Sequence, residues 1–293
     1  MQAILSVLIL LSSASPPAPS NCSLPPYSSY LYCDPDAGLA ERVDDLVSRL
    51  TPLDFQSLLS NGNGGLPAWG VPRLTYGEAL HGALAPCGAP FSSSNFTSTG
   101  CATSFPHPLA LASTLNRTLW RLVAESIATE SRALHNQGLQ AQMVWAPNVN
   151  LFRDPRWGRG LETPGEDPLI ASEYAAIFIS ALQGEGESPY MKVPAFAKHA
   201  VGYDCEQCDG IGRNSFDAAI SDKDLVEYFF APFRAAVQRA RVSGLMCAYN
   251  AVNGIPSCAN GLFLDGVARS AWGGDFAVVS DCGAIREIWK DYR

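Results

Sequence analysis

Polar and charged side chains stand directly after five short apolar runs of the sequence. They are Glu78 and His81, Asn148 and Asn150, Lys198 and His199, Tyr249 and Asn250, and Asp281. A carboxylate among basic and hydroxyl-bearing groups can serve as a nucleophile or an acid/base catalyst, and its neighbours can bind hydroxyls. From the residues alone, Asp281 either caps a following helix or acts at the rim of a site.

Lys198 is one of only four lysines in the chain, and it ends the apolar run Pro194–Ala197. A lysine at the end of a buried strand needs an acceptor, because an unpaired buried cation is costly. Two interpretations remain open from the residues. Lys198 either pairs with a carboxylate as a structural contact or holds the hydroxyls of a polar ligand.

The segment Arg153–Gly160 is the densest group of functional residue types. Arginine offers a planar fork of donors that suits adjacent sugar hydroxyls or carboxylates, and Trp157 offers an apolar face on which a sugar ring can pack. The alternative is a structural cluster of arginine and aspartate on Trp157, which is favoured more for Arg153 and Arg156 than for Arg159. Acidic residues that could pair with these arginines follow at once: Glu162, Glu166 and Asp167.

The elements that must position these residues alternate between helix and strand patterns. Apolar residues at helical spacing occupy residues 40–50, 116–136, 171–183 and 222–241, and the short β-rich runs are Leu74–Tyr76, Met143–Ala146, Ala195–Ala197, Gly244–Ala248 and Phe276–Ser280. This alternation predicts an α/β fold with a parallel sheet whose strands are buried on both faces. The count and spacing favour a (β/α)8-type, TIM-like barrel, in which the carboxyl ends of the strands form the catalytic face. In the helix 116–136 we expect Leu119, Val123 and Ile127 to face inward and Gly138 to follow its end.

The composition excludes several classes of partner. The net charge is -8, charged residues make up 16% of the chain, and there is no basic run, so nucleic acid and an anionic membrane are not expected partners. The Cys205-x-x-Cys208 pair lacks a second pair at zinc-finger spacing, and no G-x-G-x-x-G follows the first strand. We therefore expect no metal and no cofactor, and a neutral substrate. No oligomeric state follows from the sequence.

Several features predict an extracellular protein. Residues 1–15 resemble a secretory signal peptide, followed by an N-terminal extension over residues 16–39. Glycosylation sequons begin at Asn21, Asn95 and Asn116. Of nine cysteines, Cys87 and Cys101 could staple a loop, Cys205 and Cys208 suggest a local disulfide, and the odd number leaves at least one thiol free or paired elsewhere.

Four motifs together resemble the family-3 glycoside hydrolases, and within that family the secreted fungal and plant β-xylosidases. The motifs occur in the family's order: residues 143–167, Ala197–His199, Met246–Gly254 and Val279–Ala284. The resemblance covers residues 40–293 and the family's N-terminal barrel domain.

The resemblance implies a role for individual residues. Asp281 matches the nucleophile, and Tyr249 matches a tyrosine that lies near it. The residues that match the sugar-binding –1 subsite are Arg159, Lys198 and His199. Trp145 stands where the family has an aromatic beside the sugar, and Glu78 stands where the β-glucosidases carry an aspartate that holds sugar hydroxyls.

The implied activity is that of a retaining, exo-acting hydrolase that releases D-xylose from the non-reducing ends of β-1,4-xylo-oligosaccharides. The extra methylene of Glu78, relative to aspartate, reaches further into the site and fills the space of a hexose hydroxymethyl. A β-glucosidase is the alternative, and α-arabinofuranosidase activity often accompanies β-xylosidase activity in this subgroup.

The second carboxylate of the reaction has no match in this chain. In two-domain members the acid/base is a glutamate of a second domain, and single-domain members use a histidine in the loop after the Lys-His pair. Here residues 200–214 contain no histidine, and the chain ends twelve residues after Asp281. We therefore expect a barrel that is incomplete at its C-terminus, with negligible turnover of aryl β-xylosides by the chain alone. The other interpretation is a non-catalytic, sugar-binding remnant.

Overall fold

A computed structural model describes residues 21–59, 65–84, 89–93, 96–184 and 190–292. The predicted signal peptide, the sequon at Asn95 and one cysteine of the predicted Cys87–Cys101 staple lie outside these ranges. No helix within them is both long and apolar enough to cross a membrane.

Helices and strands alternate along the chain. The α-helices are α1 (Leu39–Arg49), α2 (Pro52–Leu58), α3 (Pro108–Ala112), α4 (Arg117–Asn136), α5 (Pro168–Gln183), α6 (Asp222–Asp224), α7 (Ala231–Gln238) and α8 (Ala284–Lys290). The strands are β1 (Tyr76–Gly77), β2 (Ala89–Ser93), β3 (Phe96–Gly100), β4 (Met143–Val144), β5 (Phe196–Ala200), β6 (Gln207–Cys208), β7 (Ile211–Gly212), β8 (Asp217–Ala218), β9 (Gly244–Cys247), β10 (Ala251–Val252), β11 (Ile255–Pro256) and β12 (Ala277–Ser280). Two segments, Leu225–Phe229 and Leu262–Ala271, are π-helical.

Five strands run parallel in the order β1, β4, β5, β9 and β12, which is their order in the chain. β1 pairs with β4, β5 with β9, and β9 with β12. Parallel bridges at Val144–Ala195 and Asn148–Lys198 join β4 to β5. Helical segments lie between successive strands, as expected of βα units. The α/β prediction is therefore confirmed, whereas closure into an eight-stranded barrel stays a prediction.

The sheet is closely packed where it carries the site. All residues of β5 and β9 are buried. At Gly244 of β9, an added Cβ would lie 2.0 Å from the ring of Phe196 on β5, so only glycine lets that ring lie against the backbone. Close packing of this kind holds side chains in one conformation, which a site built on strand ends requires.

Helix α4 follows the predicted pattern with one exception. Val123 and Ile127 are buried and Gly138 follows the end of the helix, but Leu119 is 37% exposed, so its predicted inward position is wrong. Trp120 takes the inner position of the first turn instead, where its Nε1 donates to the carbonyl of Leu111 over 2.9 Å.

The helix predicted over residues 222–241 is divided into α6, a π-helical turn and α7. Pro232 has no N–H to donate to the preceding turn, so a regular α-helix cannot continue through it. The chain instead forms a wider turn, in which the N–H of Phe230 donates to the carbonyl of Leu225 over 2.8 Å, and α7 begins at Ala231.

Disulfides close short loops of the chain. The predicted Cys205–Cys208 bond is present, and two further bonds join Cys22 to Cys33 and Cys247 to Cys258. Within the described ranges, the free thiol is that of Cys282, which is exposed. The sequence spacing had indicated only the first of these three bonds.

Candidate active site

The strand ends bring four of the predicted site residues into one buried cluster. Lys198 and His199 lie in β5, Tyr249 follows β9, and Asp281 follows β12. All four are buried, although each carries an ionisable group. Because parallel strands end at the same edge of a sheet, residues far apart in the sequence meet there.

Asp281 presents one carboxylate oxygen that no neighbour holds. Its Oδ1 accepts a hydrogen bond of 2.7 Å from the N–H of Cys282. Its Oδ2 is buried, has no hydrogen-bond partner among the described residues, and lies 3.5 Å from Nε2 of His199. Burial, and then the negative charge of Asp281, raises the pKa of Tyr249. Asp281 thus combines a fixed oxygen with a free one, which is the arrangement that a nucleophilic carboxylate needs.

Lys198 pairs with Glu78 across the site. Its Nζ lies 2.7 Å from Oε1 and 2.8 Å from Oε2 of Glu78. The lysine side chain is 2% exposed and that of Glu78 is 41% exposed. Both residues line a cavity of about 390 Å³, which Glu162 and His81 also line. The buried cation is therefore neutralised, while the glutamate still faces open space.

Arg159 links the side chains of Glu162 and His199. Its Nε and Nη2 donate to the two oxygens of Glu162 over 2.9 and 2.8 Å, and its Nη2 also lies 3.1 Å from Nε2 of His199. Burial opposes the charge of each partner, but the bonds between them outweigh it. The pKa of Glu162 is therefore lowered and that of Arg159 is raised. Nδ2 of Asn148 also donates to Oε2 of Glu162 over 3.2 Å, and this bond further fixes the carboxylate.

The other two arginines of the segment make structural pairs, as the sequence favoured. Arg153 lies 3.4 Å from a carboxylate oxygen of Asp204, and Arg156 binds Asp154 on the surface. The expected pairing of Glu162 with an arginine of this segment is confirmed for Arg159.

Trp145 is half-buried and packs against an aromatic side chain of the neighbouring strand. Its ring stacks on that of Tyr76 at 5.9 Å, and Tyr76 in turn contacts Phe196 edge-on at 5.3 Å. The bridge between Val144 and Ala195 puts Trp145 at the level of Phe196, which lies two residues before Lys198 in the chain. Its predicted contact with a sugar stays a prediction.

The loop after β5 contributes residues that the sequence analysis did not single out as site residues. Tyr203 is buried, and its ring contacts those of His199 and Tyr249 at 5.1 and 6.3 Å. Its hydroxyl makes a short hydrogen bond to Glu206, which also accepts from Nε1 of Trp157 over 3.2 Å. Nothing in the loop sequence signals these contacts. The i,i+3 spacing of Arg159 and Glu162, by contrast, is a readable signal.

His199 is held neutral by its surroundings. Complete burial, and then the positive charges of Arg159, Lys198 and Arg213, lower the pKa of His199 well below 6.5. In the unfolded chain the same imidazole takes up a proton below about pH 6.5.

We therefore expect the free energy of unfolding to fall as the pH drops below about 6.5, by up to about 1.4 kcal/mol per pH unit for this one proton. The change in the free energy of unfolding per pH unit should be smaller in His199→Asn, which keeps a donor at the position of Nδ1. Urea unfolding of both proteins at several pH values between 7 and 5 measures this change. The pKa of His135 is also lowered by burial, but His135 is present in both proteins, so the difference reports on His199. Parallel pH profiles for the two proteins would contradict the assignment.

Taken together, the cluster suits a neutral ligand with several hydroxyls. It offers a carboxylate with a free oxygen, two cations that are already neutralised, and an imidazole, all fixed by buried neighbours. Within the described ranges, no group of three or more histidine, cysteine, aspartate or glutamate side chains could hold a metal ion.

Comparisons with known proteins give this arrangement a context. Residues 94–293 match the family described as the glycosyl hydrolase family 3 N terminal domain. The exo-1,4-beta-xylosidase bxlB of Emericella nidulans is 43% identical over 291 residues, which is 96% of this chain and 38% of that protein. Beta-xylosidase/alpha-L-arabinofuranosidase 1 of Medicago sativa subsp. varia is 41% identical over 269 residues, which is 90% of this chain and 34% of that protein. The chain thus spans a little over a third of these relatives' length.

Two solved structures share the fold. A GH3 exo-beta-xylosidase (XlnD), in complex with a xylobiose aziridine activity-based probe, superposes with a TM-score of 0.83 at 37% identity, over 94% of this chain and 35% of that one. A GH3 beta-glucosidase of Bifidobacterium adolescentis superposes with a TM-score of 0.68 at 30% identity, over 81% of this chain and 32% of that one.

Proposed function

The chain belongs to glycosyl hydrolase family 3, and from this premise we propose that it carries the nucleophile and the –1 subsite of a retaining, exo-acting β-xylosidase. The observation that carries the proposal is the free, buried Oδ2 of Asp281, which lies 3.5 Å from His199 at the edge where β5 and β12 end. The substrate is a β-1,4-xylo-oligosaccharide, from whose non-reducing end D-xylose is released.

The proposed chemistry assigns one role to each residue. Oδ2 of Asp281 attacks the anomeric carbon as the glycosidic bond breaks, the leaving oxygen takes a proton from an acid that is not among the residues assigned here, and water then hydrolyses the glycosyl-enzyme to release D-xylose. Arg159, Lys198 and His199 hold sugar hydroxyls by hydrogen bonds that strengthen as positive charge develops on the ring. Tyr249 lies beside the nucleophile, and Glu78 reaches the sugar from the far side of Lys198.

The preference for xylose rests on Glu78. Its carboxylate is held by Lys198 and faces the cavity, so a longer side chain here leaves less room for a hydroxymethyl group. The names of the relatives support a pentose substrate, and one of them also carries α-L-arabinofuranosidase in its name. The beta-glucosidase neighbour keeps β-glucosidase as the alternative.

The test avoids the leaving-group proton, because no residue of this chain is assigned as the acid/base. A 2,4-dinitrophenyl 2-deoxy-2-fluoro-β-D-xyloside expels a phenolate that departs without protonation, and the fluorine slows breakdown of the glycosyl-enzyme. We expect the chain to gain one fluoroxylosyl group, located on Asp281 by peptide mass spectrometry. Intact protein with no added mass, or a label on another residue, would overturn the proposal.

The same xylo reagent and its gluco counterpart, 2,4-dinitrophenyl 2-deoxy-2-fluoro-β-D-glucoside, test the sugar preference. We expect the xylo reagent to label wild-type chain at least about ten times faster than the gluco reagent, since one misplaced methylene costs about 1–3 kcal/mol. Glu78→Asp removes one methylene from the site and should bring the two rates together. A wild-type preference for the gluco reagent would favour the β-glucosidase alternative and refute the role of Glu78.

We also propose that the protein acts outside the cell. Three disulfides join described residues, and such bonds persist in oxidising compartments rather than in the cytosol. Retention of these bonds in protein secreted from a eukaryotic host, together with loss of the leader sequence, would support this proposal. A reduced protein that stays in the cytosol would oppose it.

A further inference from the structure

His199 occupies an irregular point in the sheet. In the pairing of β5 with β9, Lys198 lies opposite Met246 and Ala200 lies opposite Cys247, so the ladder skips His199. The backbone N–H and carbonyl of His199 therefore need partners elsewhere, because buried backbone groups are almost always paired. The histidine itself is 1% exposed, so water does not supply them.

The side-chain amide of Asn150 supplies both partners. The N–H of His199 donates to Oδ1 of Asn150 over 2.8 Å, and Nδ2 of Asn150 donates to the carbonyl of His199 over 2.8 Å. Asn150 is itself 3% exposed. These two bonds fix which end of the amide is oxygen, since the flipped amide would set an N–H against an N–H and a carbonyl against a carbonyl.

The same Oδ1 also faces the imidazole. It lies 3.0 Å from Nδ1 of His199. An amide oxygen can only accept, so Nδ1 carries a proton.

An independent contact defines the other ring nitrogen. Nη2 of Arg159 lies 3.1 Å from Nε2 of His199. Arginine can only donate, so Nε2 is unprotonated. A protonated imidazolium would turn an N–H toward the arginine N–H. The contacts on opposite sides of the ring therefore agree on one neutral tautomer.

We propose that Asn150 is a positioning residue that locks His199 as the neutral Nδ1–H tautomer, so that the lone pair of Nε2, which accepts from Arg159 in the ligand-free chain, accepts instead from a sugar hydroxyl when a ligand binds. The ligand in this statement rests on the proposed function, whereas the tautomer does not. A hydroxyl that donates its proton to Nε2 keeps its oxygen lone pairs for Arg159 or Lys198. Such a site discriminates against a group that can accept but not donate, such as a methyl ether, at the position of that hydroxyl.

Four charged groups face the ring, and three of them, the cations, favour a neutral imidazole. The four groups are Arg159 from the loop before the turn 160–162, Lys198 from β5, Arg213 from the loop after β7, and Asp281 from the end of β12. Burial and the three cations disfavour a second proton, and the pKa of His199 is lowered accordingly. Asp281, at 3.5 Å from Nε2, acts in the opposite direction.

The tautomer can be read directly in the ligand-free chain. The chain has four histidines, so the ring nitrogens of a sample labelled with ¹⁵N-histidine can be resolved by long-range proton–nitrogen correlation. The signal lost in His199→Asn identifies His199. We expect a protonated Nδ1 and a bare Nε2 at pH 7. A protonated Nε2 with a bare Nδ1, or an imidazolium, would overturn the proposal.

Variants of Asn150 test whether this residue imposes the tautomer. Asn150→Asp keeps the acceptor and adds a negative charge, which should raise the titration midpoint of His199 by about one to three pH units. Asn150→Leu removes the acceptor and should mix the two neutral tautomers. His135, whose Nδ1 faces the carbonyl of Gln140, serves as the internal control and should not change.

The outcomes are distinguishable from failure of the proposed function. An unchanged midpoint in Asn150→Asp would refute the positioning role, and so would a pure Nδ1–H tautomer in a folded Asn150→Leu. If Asn150→Leu does not fold, the midpoint in Asn150→Asp decides. None of these measurements uses a substrate, so a chain that fails to react with the fluoroxyloside can still confirm or refute the tautomer.

Discussion

Replacing Asp281 by asparagine is expected to lower the rate at which dinitrophenolate is released from 2,4-dinitrophenyl β-D-xyloside by at least about 10⁴-fold, which is the scale of losses when a covalent nucleophile is removed. The amide keeps the size of the side chain and its place after β12. It cannot attack the anomeric carbon, because its nitrogen lone pair is delocalised and its oxygen carries no full charge. The loss should therefore appear in the bond-forming step and leave the fold intact.

The measurement combines burst kinetics with a matched control. Asp275→Asn makes the same change at an exposed aspartate just before the same strand, and it should react like the wild type. Sodium azide supplies a nucleophile that needs no general base, so wild-type chain should release xylosyl azide of β configuration, the stereochemistry of a double displacement. Equal rates of dinitrophenolate release by Asp281→Asn and wild type, or xylosyl azide of α configuration from the wild-type chain, would refute the retaining mechanism.

The order of the strands could be predicted because the relevant signals are local. Short apolar runs bounded by polar residues mark β9 and β12 to within one residue, and they mark the start of β5 to within one residue but its end three residues too early. The alternation with helices then dictates parallel pairing. The position of Leu119 was not predictable in this way, whereas the break before Pro232 has a local signal, the proline itself, which the prediction of one helix over residues 222–241 did not use. Which side chain packs inward depends on neighbours such as Leu111, which the helical period does not contain.

Site residues at the ends of strands could be predicted from the sequence, whereas those contributed by the loop after β5 could not. Residues that end strands were predictable as a group, because every parallel strand delivers its last residues to one edge. Partners that approach from loops, such as Tyr203 and Glu206, were missed as site residues, because their contacts follow from the path of the backbone after β5. Asn150 lies between these cases. It was recognised as a polar residue after a strand, but its two bonds to the backbone of His199 depend on the irregularity in β5.

Loss of the guanidinium of Arg159 is expected to be the most damaging change to the polar framework. Arg159→Met leaves the carboxylate of Glu162 without its cationic partner and Nε2 of His199 without its donor, in a largely buried place. We expect the free energy of unfolding to fall by about 2–3 kcal/mol, less than for a fully buried pair because both side chains retain some exposure. This corresponds to a drop in Tm of roughly 5 °C or more. Labelling by the fluoroxyloside should slow by about 10²-fold, since a charged donor to the sugar is lost.

A second substitution separates the ion pair from simple packing. In Arg159→Met/Glu162→Gln the unpaired charge is gone, so the double variant should be more stable than the sum of the single changes predicts, with a coupling energy of about 0.5–3 kcal/mol.

The pH dependence of stability is a second test of the ion pair. Arg159 lowers the pKa of Glu162 below its usual 4.5, so the pair stabilises the wild type fully above that pH. The stability gap between wild type and Arg159→Met should then narrow as the pH falls below about 4.5, where protonation neutralises Glu162 in the variant. A gap that stays constant down to pH 3, or strictly additive substitutions, would show that Arg159 acts through packing and not through the charge of Glu162.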